Sequence, residues 1–284
     1  MGRRGVAQPG SALAWGARCR RFKSSRPDHV FCNDQGQQLK ILVTNDDGIQ
    51  SKGILVLAKA LAALGEVFVV APDREKSAVA HSLTLHRPLR VEKIKKNVFA
   101  ADGTPADCVH LAVNAILPDK PDLLVSGINK GENVGNDITY SGTVSAAFEG
   151  TLLGIPAFSI SLASRSHFQF QGAARFAVKV ARHILKKGLP KDTFLNINVP
   201  NVPEKDLKCF RITYQGRVIH GNAVVEKVDP RGKKYYWIGG GQRVFDRRGD
   251  TDFEALSDGC ISITPLHIDL TNYGVVGKLK RWKL

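Results

Sequence analysis

The sequence predicts a doubly wound α/β domain with a mostly parallel, Rossmann-like sheet, followed by a smaller β-rich C-terminal appendage. Three observations lead to this fold class. Apolar runs without alternation are typical of parallel strands that are covered on both faces. These runs alternate with segments whose apolar residues recur at helical spacing, which indicates βαβ units. After Pro200, proline, glycine and charged residues become frequent and the strand-like pieces become short.

The first βαβ unit is predicted between residues 40 and 71. Lys40–Thr44 and Val67–Ala71 are apolar runs, and the apolar residues from Ile54 to Leu64 recur at helical spacing. The same pattern continues to residue 200. The further helices are predicted near 106–116, 143–153 and 173–187, and the further strands at 123–126, 156–161 and 194–199.

The C-terminal appendage is predicted to consist mainly of short strands. The turn between two of them is Asp229-Pro230-Arg231-Gly232, in which proline fixes φ and glycine supplies a positive φ. We expect this hairpin to project toward a partner subunit. The strand-like pieces are 210–214, 224–228, 235–238 and 261–264.

Composition excludes several classes of protein. With 284 residues, of which 43% are apolar and 24% are charged, the chain can bury a sizeable core. Its longest stretch without a charged residue, Gly150–Ser164, is shorter than the roughly 20 residues that a membrane-spanning helix needs. The formal charge of +15 attracts polyanions, but the basic residues are scattered and are better explained as a solvated surface. We therefore expect neither a membrane nor a specific nucleic acid as a partner.

The five cysteines are odd in number and widely spaced, without a Cys-x-x-Cys pair. This pattern favours a cytoplasmic location and no structural zinc.

Residues 1–38 show no helical or strand periodicity and contain no continuous apolar segment of a secretory signal. The arginine content is typical of an organellar transit peptide, but Pro9 and Gly10 would break its helix. We favour a third interpretation, because Arg21-Phe22-Lys23-Ser24 is what a transfer-RNA T-arm encodes when it is translated. The predicted organisation is therefore a non-native extension over 1–38 with the true start near Leu39, a catalytic α/β domain over 39–200, and an oligomerisation region over 201–284.

In open parallel sheets, ligands bind beyond the carboxyl ends of the strands. Asp46 and Asp47 follow the first predicted strand, and two adjacent carboxylates at the end of a buried strand need a compensating cation. An alternative is that Asp47-Gly48 is only a turn and that Asp46 caps the next helix, and these residues alone leave both interpretations open. The later loops offer oxygens from Ser77 and Asn129 but no histidine or cysteine, which suits Mg²⁺, Mn²⁺ or Ca²⁺ better than zinc.

The glycine-rich segment 127–143 enters a predicted helix through Ser141-Gly142-Thr143. A helix start of this kind can bind an anion, although an ordinary capped helix explains the same residues. The sequence lacks the phosphate-binding loop of ATPases, the three-glycine fingerprint of dehydrogenases and the Gly-x-Ser-x-Gly elbow of serine hydrolases. Asp250-Thr251-Asp252 is predicted to be a surface turn, and His81 and His86 are predicted to be structural.

Five motifs closely resemble those of the SurE (survival protein E) family of metal-dependent nucleotidases. They are ILVTNDDGIQSKGI, VAPDREKSA, GTPADCV, SGINKGENVGNDITYSGTVSAAFEG and SITPL. The resemblance begins near Lys40, so residues 1–38 have no counterpart. It implies one divalent ion per subunit, Mg²⁺ or Mn²⁺, held by Asp46, Asp47, Ser77 and Asn129. It also implies hydrolysis of nucleoside 5′- or 3′-monophosphates, a cytoplasmic location, and a homodimer or homotetramer joined partly through the C-terminal region.

The predicted mechanism is phosphomonoester hydrolysis at this ion, with Asp46, Asp47 and Asn45 as the catalytic residues. The general acid for the leaving alcohol is not assigned. We expect broad specificity that extends to short polyphosphate, because the loops carry phosphate-directed groups and no base-reading set. The alternatives are a non-catalytic nucleotide or RNA binder and a nucleotide-sugar transferase. The residues assigned to the substrate phosphate are Asn133, Ser141, Gly142 and Thr143.

Overall fold

The computed structural model describes residues 38–207, 209–220, 224–238, 243–246 and 249–283. The strands are β1 (Lys40–Thr44), β2 (Glu66–Pro72), β3 (Val91–Lys95), β4 (Val98–Ala101), β5 (Leu123–Lys130), β6 (Ala157–Ala163), β7 (Thr193–Pro200), β8 (Phe210–Ile212), β9 (Arg217–His220), β10 (Val224–Val228), β11 (Lys234–Ile238), β12 (Arg243–Asp246) and β13 (Ile261–His267). The α-helices are α1 (Lys52–Leu61), α2 (Pro105–Leu111), α3 (Gly142–Leu152), α4 (Phe170–Lys187), α5 (Asp252–Ser257) and α6 (Tyr273–Leu279). The shorter helical turns are a π-helical turn at Ala112–Ile116 and 3₁₀ turns at Gly135–Tyr140 and Glu204–Asp206.

Nine strands form the central sheet, in the order β3-β4-β2-β1-β5-β6-β7-β13-β8. All neighbours from β4 to β7 are parallel, whereas β3 and β13 pair antiparallel with β4 and β7. This confirms the predicted mostly parallel α/β fold. Strands β8 and β13 come from beyond residue 200 and join the same sheet, so the predicted domain boundary is not a break in the sheet.

The sheet is covered on both faces, which explains why its strands lack an alternating pattern. In β1, Ile41 and Val43 pack into one apolar cluster and Leu42 packs into another. Successive side chains of a strand point to opposite faces, so each face needs its own apolar cover. Helices α1 and α4 contribute to the first cluster, and α2 and α3 contribute to the second.

Most predicted elements are present within a few residues of their predicted bounds. The hairpin turn is confirmed, since Gly232 has a φ of +80° and its N–H donates to the Asp229 carbonyl at 3.0 Å between antiparallel β10 and β11. The β3–β4 hairpin was not predicted, because β3 is exposed along its length and rich in charge. The segment 127–130, predicted as a loop, belongs to β5.

Two sequence-based expectations are wrong. Thr251 and Asp252 are buried at the start of α5 and do not form a surface turn. Cys209 and Cys260 form a disulfide across 51 residues, a bond that the cysteine spacing did not predict. Because disulfides are rare in a reducing compartment, the cysteines no longer support a cytoplasmic location.

Two further expectations concern the extension and the membrane. Residues 1–37 lie outside the described part of the chain, so the predicted extension stays a prediction. No helix in the described part is both long and apolar enough to span a membrane.

Candidate metal and phosphate site

The loops that follow β2, β1 and β5 meet at one edge of the sheet, because these three strands are neighbours. Asp46 and Asp47 follow β1 directly. The Lys76 N–H from the loop after β2 donates to the Asp46 carbonyl at 2.8 Å. The Lys130 N–H at the end of β5 donates to Asp47 Oδ2 at 3.2 Å. Both neighbouring segments are therefore bonded to the aspartate pair.

Asp46 lies against the start of α3. Asp46 is only 6% exposed, and its Oδ1 accepts a hydrogen bond from the Thr143 hydroxyl. A Cβ at Gly142 would lie 2.9 Å from the Asp46 Cβ, so only glycine allows this approach of the helix. Burial raises the pKa of Asp46, and the hydrogen bond from Thr143 opposes that rise.

Asp47 is the less buried of the two aspartate residues. Its side chain is 7% exposed, and the Lys130 Nζ lies 3.9 Å from Oδ1. Burial and then the negative charge of Asp46 raise the pKa of Asp47 to about 6, although Lys130 opposes the shift. The two aspartates therefore disfavour one another as a pair of charges.

The interpretation of Asp46 as a helix cap is wrong. Helix α1 begins at Lys52, and Ser51 occupies its N-cap position. The turn itself is present, because Gly48 has a φ of +91° and the Asn45 Nδ2 donates to the Gly48 carbonyl at 3.1 Å. The turn and a ligand role for the carboxylates are therefore compatible.

The residues at this edge fit a hard divalent cation. Within the described residues, the Lys130 contact is the one ion pair that either carboxylate makes. Three of the four buried side-chain atoms without a hydrogen-bond partner in that part of the chain also lie at or beside the end of β1: Thr44 Oγ1, Asn45 Oδ1 and the Oγ of Ser126, which is paired with Thr44 in the sheet. Carboxylate, amide and hydroxyl oxygens are the donors that Mg²⁺ and Mn²⁺ prefer.

Ser77 and Asn129 flank the residues that contact the aspartates. Ser77 follows Lys76 and is exposed, and its hydroxyl donates to Glu75 Oε1 at 2.6 Å. Asn129 precedes Lys130, and its Nδ2 donates to the Gly131 carbonyl at 2.9 Å. The described residues contain no cluster of three or more His, Cys, Asp and Glu side chains that could hold a metal. A metal site here thus depends on such hydroxyl and amide oxygens, and their role as ligands stays a prediction.

The side chains assigned to the phosphate already have partners in the protein. Ser141 is the N-cap of α3, and its Oγ accepts from the Val144 N–H at 3.1 Å. The Thr143 hydroxyl donates to Asp46. These contacts place the helix start beside the carboxylates, whereas contact with a phosphate stays a prediction.

Asn133 lies in a buried network that sequence reasoning did not identify. Its Nδ2 donates to the Ser161 hydroxyl at 2.9 Å, and its N–H donates to Asn198 Oδ1 at 2.8 Å. Its carbonyl accepts from the side chains of both Asn196 and Asn198. The two asparagines at alternate positions of the apolar strand β7 were the signal that could have revealed this network. The network fastens the loop before α3 to the sheet.

Asp252 fastens the same loop from the C-terminal part of the chain. It is fully buried and accepts hydrogen bonds from the N–H groups of Gly135, Gly216 and Phe253 at 2.7, 3.0 and 2.9 Å. The Thr251-x-x-Glu254 capping box was the local sequence signal for the helix that carries it.

Glu149 on α3 binds two histidines. Its Oε2 lies 2.5 Å from His81 Nε2, and its Oε1 lies 2.8 Å from His110 Nε2. Burial opposes ionisation of Glu149, but both histidines favour its charged form, and its pKa lies below the ordinary value. His81 thus has a structural partner, as predicted, whereas His86 is exposed.

The chain matches the family model described as Survival protein SurE over residues 41–222. The 5′-nucleotidase SurE of Geobacter sulfurreducens is 56% identical over 87% of this chain and 94% of that protein. The 5′-nucleotidase SurE of Geotalea uraniireducens is 55% identical over 87% of this chain and 100% of that protein. The crystal structure of the SurE protein from Aquifex aeolicus has a TM-score of 0.78 and 46% identity, and the match covers 85% of this chain and 98% of that one. The chain therefore belongs to the SurE family.

Proposed function

We propose that this chain is a divalent-metal-dependent nucleotidase that hydrolyses nucleoside 5′-monophosphates to nucleoside and phosphate. The observation that carries the proposal is the buried pair of adjacent carboxylates, Asp46 and Asp47, at the carboxyl edge of the sheet and against a helix start. The names of the relatives support the reaction class, since both are called 5′-nucleotidases.

Asp46, Asp47, Ser77 and Asn129 would hold one Mg²⁺ or Mn²⁺ ion per subunit. An ion bound there would polarise the phosphoryl group and favour ionisation of the attacking water. The free oxygen of Asn45 is a hydrogen-bond acceptor, so it suits that water or the cation better than a phosphate oxygen.

The start of α3 would stabilise the negative charge of the substrate phosphate. The Thr143 hydroxyl already donates to Asp46, whereas Ser141 Oγ accepts from the Val144 N–H and can still donate its own proton. We therefore assign phosphate binding to the Ser141 hydroxyl and to the backbone N–H groups and dipole of this helix start, including the N–H of Gly142. Asn133 contributes to phosphate binding indirectly, because its hydrogen bond to Ser161 fastens the loop that leads to α3. Removing the charge of either aspartate should therefore affect the ion, whereas changes near Ser141 should affect the phosphate.

The finer parts of the proposal concern substrate range, location and assembly. We extend the substrates to nucleoside 3′-monophosphates and short polyphosphate, because a metal and a helix start recognise only the shared phosphate. The cytoplasm is the proposed location, on the family resemblance alone. A homodimer or homotetramer is supported by the exposed apolar side chains of the β10–β11 hairpin, among them Tyr236, Trp237 and Ile238.

The test compares Asp46→Asn and Asp47→Asn with Asp73→Asn, an exposed aspartate that pairs with Arg74. Phosphate release from a panel of nucleoside monophosphates, polyphosphate and sugar phosphates is measured with Mg²⁺, with Mn²⁺ and with chelator. We expect the first two variants to lose turnover with an unchanged circular dichroism spectrum, and the third to retain it. Near-normal rates of either site variant in added Mn²⁺ would refute the ligand assignment.

The same assay separates the two alternatives. Metal-independent nucleotide binding without phosphate release would favour a binding protein. Transfer of a sugar without simple hydrolysis would favour a transferase.

A further inference from the structure

Helices α1 and α4 form a strongly basic layer on one side of the central sheet. They pack into the same apolar cluster and contact each other. Together they contain seven lysine and arginine residues, two in α1 and five in α4, and no aspartate or glutamate. Helices α2 and α3, on the opposite side, contain no lysine or arginine and carry Asp107 and Glu149. Basic residues that are scattered along the sequence are therefore gathered on one side of the fold, and we call the exposed surface of α1 and α4 the basic face.

Four basic residues form a straight stripe along α4. They are Arg175, Lys179, Arg182 and Lys186, and all four are exposed. Because an α-helix has 3.6 residues per turn, four residues at these spacings lie within an arc of about 60°. The other side of α4 is apolar and buried, with Ala177, Ala181 and Ile184 in the core cluster. The stripe therefore points away from the core.

Most charges of the basic face have no acidic partner in the described part of the chain. Arg175 pairs with Glu204 at 2.7 Å, and Arg182 also has an interaction within the protein. The other five basic residues are all exposed and form no ion pair with a described residue. Like charges four residues apart on a helix repel each other, so bound anions would relieve this repulsion. The five residues are Lys52, Lys59, Lys179, Lys186 and Lys187.

The charge pattern fits the backbone of a nucleic acid duplex. From Arg175 to Lys186 the stripe is about 16 Å long. A duplex carries one negative charge per about 1.7 Å of its axis, so about ten phosphates lie along that length. Single strands are bound largely by stacking of bases on exposed aromatic rings, whereas Phe170 of α4 is buried and Phe176 is half-buried. A membrane-surface helix needs an apolar side that is free to enter the lipid, but that side of α4 is buried against the sheet.

We propose that the basic face binds the phosphate backbone of double-stranded nucleic acid without regard to its sequence. Contacts from lysine and arginine to phosphates supply a salt-dependent affinity and carry no sequence information. The proposal therefore agrees with the expectation that no specific nucleic acid is a partner. Neither helix contains a residue of the candidate metal and phosphate site, so this binding goes beyond the proposed hydrolysis and does not depend on it.

The test compares two double variants that change the net charge equally. Lys179→Gln with Lys186→Gln removes two charges from the stripe and keeps residues of high helix propensity. Lys93→Gln with Lys95→Gln removes two exposed charges from β3, at the edge of the sheet. Fluorescence anisotropy measures the binding of a short labelled DNA duplex to the full chain at salt concentrations from about 0.05 to about 0.2 M. Chelator is present throughout, and melting temperatures verify that each variant folds.

We expect the unmodified chain to bind the duplex and the α4 variant to bind it at least about ten-fold more weakly at about 0.1 M salt. Each phosphate contact contributes about 0.9 to the slope of log affinity against log salt concentration, so the loss of two contacts should reduce that slope by about 2. The β3 variant should remain close to the unmodified chain. Residues 1–38 are the same in all three forms, so their basic side chains do not account for a difference between the variants.

Three results would overturn the proposal. The first is the absence of duplex binding by the unmodified chain. The second is an equal loss in both variants, which would assign binding to net charge and not to the basic face. The third is tighter binding, at equal phosphate concentration, of a single strand, of inorganic polyphosphate or of vesicles made from equal parts of phosphatidylglycerol and phosphatidylcholine. That result would assign the face to another polyanion.

Discussion

The hydroxyl of Thr143 connects α3 to the aspartate pair, and its removal tests how the site is built. Thr143→Val replaces the hydroxyl with a methyl group at a fully buried position and leaves the Asp46 carboxylate without this donor. A hydrogen bond to a charged group contributes about 1.5–3 kcal/mol. If the whole of that free energy serves to orient Asp46 toward a cation, metal binding weakens about 10- to 150-fold.

The behaviour of known metal sites leads to a similar magnitude. Groups that orient a metal-ligating carboxylate or histidine typically contribute about 10- to 100-fold in metal affinity or activity. The experiment is a calorimetric titration of Mn²⁺ into the metal-free protein, with phosphate release from AMP measured in parallel. Thr143→Ser is the matched control, because it keeps the hydroxyl and loses only the methyl group. We expect the serine variant to bind Mn²⁺ nearly as well as the unmodified chain.

Two results would refute this reasoning. Equal Mn²⁺ affinity of the valine variant and the unmodified chain would show that the hydroxyl does not orient a metal ligand. Equal losses in the serine and valine variants would assign the effect to packing of the methyl group. In either case the hydrogen bond between Thr143 and Asp46 would have only a structural role.

Two predictions concern stability. Glu149→Gln should reduce the acid sensitivity of folding. The pKa of Glu149 is lower in the folded chain than the ordinary value of 4.5 that applies to the unfolded chain, so the ionised side chain stabilises the fold above pH 4.5. This stabilisation is lost as the pH falls through the pKa of the folded chain. Urea denaturation from about pH 6 to about pH 3 should thus show a shallower loss for the variant, and parallel curves would contradict the linkage. Asp252→Asn should lower the free energy of unfolding by about 1–3 kcal/mol, because its NH₂ group would face backbone N–H donors. The exposed Asp250→Asn is its control, and equal values for the two variants would remove the proposed role of Asp252.

The parts of the fold that the sequence predicts are those with a strong local signal. Strand β1 is a continuous apolar run that is buried on both faces, and α4 places its apolar residues on one face. The missed strand β3 has neither property, because its residues are all exposed and it is held by pairing with β4. The antiparallel pairing of β13 with β7 could not be predicted from the sequence either, because an apolar run does not indicate which strand it will pair with.

The same distinction applies to the site. The charge of Asp46 and Asp47 is a local property, so the sequence indicates a cation site there as one of two interpretations, and the oxygens of the later loops favour it. The partner of the Thr143 hydroxyl is 97 residues away, and the partner of the Asn133 N–H is 65 residues away. Sequence supplies the residue types for such contacts but not the choice of partner, which is why Thr143 was assigned to the phosphate and not to Asp46.

The C-terminal part of the chain makes hydrogen bonds to the segment that leads into the candidate site, which a separate oligomerisation region would not do. The Gly135 N–H donates to Asp252, the Gln215 Nε2 donates to the Gly135 carbonyl at 3.1 Å, and the Val218 N–H donates to Asn136 Oδ1 at 2.6 Å. All three contacts hold the 3₁₀ turn that leads directly into α3. Through this turn the C-terminal part of the chain is connected to the start of α3, where Thr143 contacts Asp46. The predicted division after residue 200 therefore does not separate the candidate site from the C-terminal part of the chain.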